Sequence, residues 1–422
     1  MIGSMAIPSG VARSRYPAPM PAWLTRNLVI VSLTSLLTDV STEMVYPILP
    51  LFLVGVLSAP KGAVGLIEGS AECVASVLRV FAGAWSDRLA RRLPITIAGY
   101  SCSALGRVIL AAANAWPLVL VARLVDRLGK GVRGAPRDAL IADTVSKEAR
   151  GRAFGLHRAA DNFGAVLGVL VAYAAIRGGH ELREVVRWSV APAFLGVAVM
   201  FLAREPHARS PARTPPRLRE AWDAMPPRLK AYLGLASLFA LGNSSNQFLL
   251  LRAKDFAFDN AGVVLLYLVY NIAATATSYP AGAISDRVGR GRVLLAAYAA
   301  HTVVYAGFAA LGPAGVAGGA ALWAGFALYG LHVGLLDAAE KAFLSDLSPP
   351  EHRAGVLGLH AMLQGLMLLP ASILAGLLWD HLGPGAAFSL GAAGGLAGAV
   401  GMLWLRTTDA GRRAFLNGPH DR

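Results

Sequence analysis

Four stretches of this sequence set ionisable side chains at helical spacing. Asp39 and Glu43 lie one helical turn apart, as do Glu68 and Glu72. At about 100° per residue each pair shares one helix face; Tyr46 and Pro50 continue the first stripe and Arg79 the second. A third stripe holds Arg123, Arg127, Lys130 and Gly134 with Asp126 beside them, and a fourth holds His157, Asp161, Gly164 and Gly168. Two carboxylates that close resist joint ionisation, so one keeps its proton to higher pH. Desolvation favours the neutral acid and a nearby arginine the charged one; a group held between the two loads and releases a proton near neutral pH. The chemistry on offer is proton exchange, with Asp39 and Glu68 the first candidates because they lie deepest in their segments. The acids can also meet a cation, and Arg79, Arg107 or Arg127 an organic anion. Mutual neutralisation is the competing expectation, and the favoured one for Asp126, Arg123 and Arg158. No phosphate loop, Cys/His cluster or H-E-x-x-H occurs, so neither an enzyme, an ATP-driven pump, a cofactor nor a fixed metal site is expected.

The elements that carry these stripes follow from composition. Of 422 residues 55% are apolar and only 15% charged, with a mean hydropathy of +0.52. A soluble protein this apolar could not cover its surface; the expectation is an all-α membrane protein embedded in a lipid bilayer. Apolar spans fall at 27–53, 62–85, 94–113, 116–136, 151–176 and 186–203, then at 229–252, 261–284, 293–312, 314–340, 354–379 and 385–405. Twelve transmembrane helices in two six-helix bundles, 24–203 and 229–405, are thus expected. They are flanked by tails 1–23 and 406–422 and joined by a proline-rich basic linker, 204–228. The net charge of +14 is no nucleic-acid footprint, since the arginines concentrate in alternate loops. That bias puts both termini and the linker in the cytoplasm of a bacterial cell, in a multi-pass inner-membrane protein. Cys73 and Cys102 lie in apolar runs and read as small buried hydrophobes.

The halves repeat. GAWSDR at 83–88 returns as GAISDR at 282–287, and LIADTVSKEARGRAFGLH at 140–157 as FLSDLSPPEHRAGVLGLH at 343–360. His157 and His360 are repeat mates. Where the first half has Glu68 and Glu72 the second has Tyr267 and Asn271; where the first has Asp39 the second has Ser244 among Asn243, Asn246 and Gln247. The first half is expected to couple to protons and the second to shape the substrate site. Parallel six-span repeats are a transporter architecture with a mid-membrane site.

Gly83, Asp87, Arg88, Arg91 and Arg92, and again Gly282, Asp286, Arg287 and Gly289, resemble the loop motif of the major facilitator superfamily, although Ala90 stands where the motif has its second glycine. The resemblance covers about residues 24–405 and implies the fold of two six-helix bundles. It implies that the first, second, fourth and fifth helices line a central cavity, and that Asp87 and Asp286 latch the cytoplasmic gate against the eleventh and fifth helices. It implies secondary transport by alternating access. The preferred expectation is a proton-coupled efflux antiporter for a small molecule or cation, acting as a monomer. The alternatives are an uptake symporter and, in a different class, a receptor or enzyme built on a carrier fold.

Overall fold

The computed structural model describes residues 23–89, 91–146, 149–205, 218–256, 258–312, 315–349 and 352–407. Side chains of 83–89, 218, 219, 221, 315–318 and 354 also lie outside that description. The described chain is helical: α1 (Arg26–Val45), α2 (Leu49–Leu51) running into a π-turn (Phe52–Val56), α3 (Lys61–Leu89), α4 (Leu93–Ala111), α5 (Trp116–Thr144), α6 (Arg150–Arg177), α7 (Leu182–Trp188) and α8 (Val190–Met200). After α9 (Leu218–Asp223) come α10 (Pro227–Gly242), α11 (Gln247–Lys254), α12 (Asn260–Val288), α13 (Arg290–Ala310), α14 (Gly315–Leu347), α15 (Arg353–Leu382) and α16 (Pro384–Thr407). Local signals set the ends. Thr25 accepts a hydrogen bond from the Leu28 amide to start α1, prolines occupy the first turn of α4, α5 and α10, and Gly289 stops α12 at φ 96°. That left-handed conformation accounts for the glycine in the second motif copy; its counterpart Ala90 lies outside the described residues.

By length and apolarity, eight helical stretches among the described residues can cross a membrane: 26–56, 93–111, 150–177, 260–288, 290–310, 319–347, 355–382 and 384–407. The expectation of twelve is not met in full on those terms, for a physical reason. The second and fourth spans, α3 and α5, carry the charged stripes. The sixth is divided at Ser189 between α7 and α8, and the seventh is unwound at 243–246 between α10 and α11.

Packing repeats across the halves. α1 packs on α6 as α10 does on α15; α3 on α5 as α12 on α14; α4 on α5 as α13 on α14; and α1 on α8 as α10 on α16. The halves meet through α3 against α15 and α6 against α12. Gly65, Gly69 and Gly376 let α3 and α15 approach backbone to backbone, the small-residue contact that lipid-embedded helices favour. Call the side where α1 begins the near face and the opposite side the far face. One apolar core at the far face joins both halves, from Val45–Phe52 and Val64 to Phe248–Leu251, Val263 and Phe388. Towards the near face the cores separate: Leu28, Tyr100 and Leu140 in the first half, Leu229, Tyr298 and Phe343 in the second. The apolar core is thus continuous between the halves at the far face and divided in two at the near one.

Candidate functional site

The four stripes converge between α1, α3, α5 and α6, and the structure divides their acids into two kinds. Glu68 receives both forks of Arg123, at 2.9 Å from Nε and 2.9 Å from Nη2, with both side chains about 2% exposed. Arg127 pairs with Glu72 at 2.9 Å. Asp126 stands 3.4 Å from Arg123 and 3.5 Å from Arg107, which also donates to Thr42. These pairs cross-link α3, α4 and α5. A bidentate arginine leaves its carboxylate little freedom to exchange a proton without exposing a buried cation.

Glu43, Asp39 and Asp161 are different. Tyr267 of the C-terminal half donates its hydroxyl to Glu43 Oε2 at 2.8 Å. No cationic nitrogen lies within 4.0 Å of Glu43 among the described residues. Asp39 and Lys130 are half-buried, and neither makes a hydrogen bond or ion pair there; the charges acting on Asp39 are those of Asp161, Glu43, Lys130 and Arg133. Asp161 lies 3.7 Å from His157 Nε2 on its own helix. Arg133 is engaged by the Ser103 hydroxyl and stacks on Tyr100, while Arg79 and Arg158 are exposed.

The C-terminal wall is aromatic and amide-rich. Tyr46, Tyr267, Tyr270 and Tyr329 follow one another with ring centroids 5.4, 5.6 and 5.4 Å apart. Asn246, at the break in the seventh span, accepts from Tyr329 at 2.6 Å and donates to Tyr270 at 3.4 Å. Gln247 is fully buried and donates across the halves to the Tyr46 carbonyl at 3.2 Å. Asn271 turns back to the Tyr267 carbonyl. Asn243 lines a cleft of about 190 Å³ with Glu72, Ser76 and Gln364.

In the gate motif, the side chains of Gly83, Asp87 and Arg88 lie outside the described residues, and Arg91 and Arg287 are exposed. Asp286 stands 3.5 Å from Arg290 of its own half, and among the described residues no ion pair joins it to the fifth helix. Three features were missed in sequence. Arg92 meets Asp143 at 2.5 Å and Arg290 meets Asp346 at 2.5 Å; the repeat already aligned the two aspartates. At the far face, Asp380 of α15 accepts from the backbone amides of Lys61 at 3.1 Å and Gly62 at 2.8 Å, so one half caps a helix of the other. Only Tyr267's place as repeat mate of Glu68 hinted at its contact with Glu43.

The sequence profile of the Major Facilitator Superfamily matches residues 31–331 and 232–420. The chain is 32% identical over 363 residues to "Uncharacterized MFS-type transporter MJ1317" of Methanocaldococcus jannaschii, covering 84% of this chain and 89% of that one. It is 26% identical over 292 residues to "Multidrug resistance protein MdtG" of Klebsiella pneumoniae, covering 66% and 70%. Among solved structures, the nucleoside transporter NupG superposes with a TM-score of 0.76 at 14% identity, over 91% of this chain and all of that one, which shows a shared fold.

Proposed function

This chain belongs to the major facilitator superfamily and is a transporter, and from that premise we propose that it exchanges protons for a small cationic molecule or cation, as an efflux antiporter. The observation that carries the reading is the bond from Tyr267 to Glu43, a carboxylate of one half held by the hydroxyl of the other with no cationic nitrogen within 4.0 Å among the described residues. Charged, Glu43 accepts a charge-assisted bond, roughly twice as strong as a neutral one. Protonated, it loses that strength, and the far-face contact between the halves weakens with it. A proton or a bound cation would each satisfy the charge of Glu43 and Asp39, and both cannot do so at once; that competition is antiport. In this reading water and substrate reach these groups from the near face, where the halves have separate cores, and the rings of Tyr46, Tyr267, Tyr270 and Tyr329 supply π-faces that attract cations. Similarity to a multidrug resistance protein favours export.

The reading places the near face in the cytoplasm of a bacterial inner membrane and takes the monomer as the working unit. Arg150, Arg152, Arg287, Arg290 and Arg292 at that face support the orientation. A cysteine at Pro215 would then resist an impermeant thiol reagent in intact cells; labelling from outside would reverse it.

The substrate is found first by growth of a deletion strain against metals and cationic drugs. Reconstituted vesicles then compare Glu43→Gln with the parent. The expected result is loss of transport driven by a pH gradient with exchange at equal pH retained. Gradient-driven transport at the parental rate would remove Glu43 from coupling.

A further inference from the structure

His157 and His360 are repeat mates, and each is buried, 4% and 8% exposed, about two turns in from the near end of its helix. Each has found one carboxylate by a different route. In α6, His157 Nε2 faces Asp161 Oδ2 at 3.7 Å, one turn along the same helix, and its Nδ1 lies 3.5 Å from the Ser32 hydroxyl. In α15 the residue one turn along is Gln364, and the carboxylate comes instead from α14: His360 Nε2 faces Glu340 Oε1 at 3.2 Å. The repeat mates of Asp161 and Glu340 are Gln364 and Arg137, so neither carboxylate is inherited from the other. What the two halves share is the outcome, one histidine to one acid. Tyr232 donates to Glu340 at 3.0 Å, and no lysine or arginine lies within 4.0 Å of Glu340 or Asp161 among the described residues.

Other charges surround each couple. Around His157 stand Arg137 and Asp138 of α5 and Arg158 of α6, with Asp39 of α1 acting on Asp161; the α12 side chains facing α6, Leu268, Asn271, Ile272 and Thr275, are uncharged. In the other couple, Glu340 is faced by Asp337 and His332 of α14, Tyr232 of α10 and Tyr298 of α13, with Lys341 of α14 acting on Asp337. Glu72 of α3 lies across the cleft from Gln364, and Glu220 and Asp223 of α9, which packs on α15, are exposed. The couples sit on α6 and α15, which are also the elements through which each half touches the other.

We propose that these two couples are proton-binding sites that gate the near face. A protonated histidine beside its carboxylate is neutral overall and can be shut away from water. Without that proton a bare carboxylate remains, costly to enclose, and the face stays open. Histidine is the side chain whose charge changes in the pH range a cytoplasm spans. The proposal rests on alternating access but leaves the substrate and Glu43 aside.

The test needs neither substrate nor gradient. With Cys73 and Cys102 replaced by serine, spin labels are placed at exposed Gly151→Cys and Ala283→Cys, one in each half near that face. Distances are measured in nanodiscs from about pH 8 to about pH 5.5. The parent should shift towards shorter distances as pH falls. His157→Gln and His360→Gln should each remove about half of that shift, and together all of it. Asp161→Asn with Glu340→Gln should invert the response, since those couples are neutral at high pH and charged at low pH, an outcome that packing alone does not produce. A pH-independent parent, a double histidine variant with the parental shift, or an uninverted carboxylate variant would each overturn the proposal. A gradient-transport defect confined to Glu43→Gln would leave the antiport reading standing in all three cases.

Discussion

In the N-terminal half, α3 and α5 are tied by Arg123 on Glu68 and Arg127 on Glu72. The equivalent pair in the C-terminal half, α12 and α14, is tied by Gly330 and Gly334 lying against α12, and by Tyr270 and Tyr329 meeting through Asn246. Both halves solve one problem, holding helices together where lipid supplies no hydrophobic drive, with opposite materials. Ion pairs make the first bundle sensitive to any change of charge. Close contact and neutral hydrogen bonds make the α12–α14 contact indifferent to it, and leave any answer of that half to the His360–Glu340 couple nearer its end. The first is then the more responsive half, and the α12–α14 pair the rigid wall it works against.

The largest test of that contrast replaces one buried polar side chain in each half. Arg123→Met leaves Glu68 buried and unpaired and should destabilise the protein by about 3–5 kcal/mol, read from chemical unfolding in detergent. Adding Glu68→Leu should restore most of the loss. On the other side, His301 is fully buried, stacked on Tyr305 at 4.1 Å, and His301→Phe keeps the stack. It should cost no more than about 1–3 kcal/mol, the strain of the slightly larger ring. Equal losses in the two halves would end the distinction.

A smaller effect separates the junctions between the halves. Asp380 caps α3 from across the interface, whereas Asp259 caps α12 from within its own half, accepting from Gly262 at 2.6 Å. Each Asp→Ala change should cost about 1 kcal/mol of cap energy. Only Asp380→Ala should also shift the molecule towards an open far face, seen as faster labelling of a cysteine at Val54, which lines the far-face cavity of about 480 Å³. Matched labelling rates would make Asp380 a local cap.

Most of the helix pattern was legible because apolar length and period are local properties. The seventh span was not, since a break at Asn243–Asn246 hides inside an apolar run; the polar run GNSSN was its one sign. The stripes were legible by helical spacing, and so was the pairing of Asp126 with Arg123. What spacing could not assign was which acid meets an arginine and which does not. Glu68 and Asp39 look alike in sequence, yet Arg123 on a neighbouring helix reaches one and leaves the other bare. That depends on rotation about helix axes, which the sequence of one helix does not contain. The contact between Glu43 and Tyr267 is harder still, because it joins residues 224 apart on helices of opposite halves.

The smallest expected effect lies within the responsive half itself. If its charges differ by role, removing an unpaired one should leave stability nearly untouched, since no partner is orphaned. Asp39 and Lys130 are half-buried and make no ion pair among the described residues. Asp39→Asn and Lys130→Gln should each stay within about 0.5 kcal/mol of the parent, as changes that orphan no close partner do. Their consequence should appear in selection instead. Asp39→Asn removes a negative charge from the cavity and should weaken binding of a cationic substrate, and Lys130→Gln should strengthen it. Opposite signs in substrate affinity at equal stability would identify the two as cavity charges. A loss of several kcal/mol in either would show that they pair in a state other than this one, and would move them to the same class as Glu68 and Arg123.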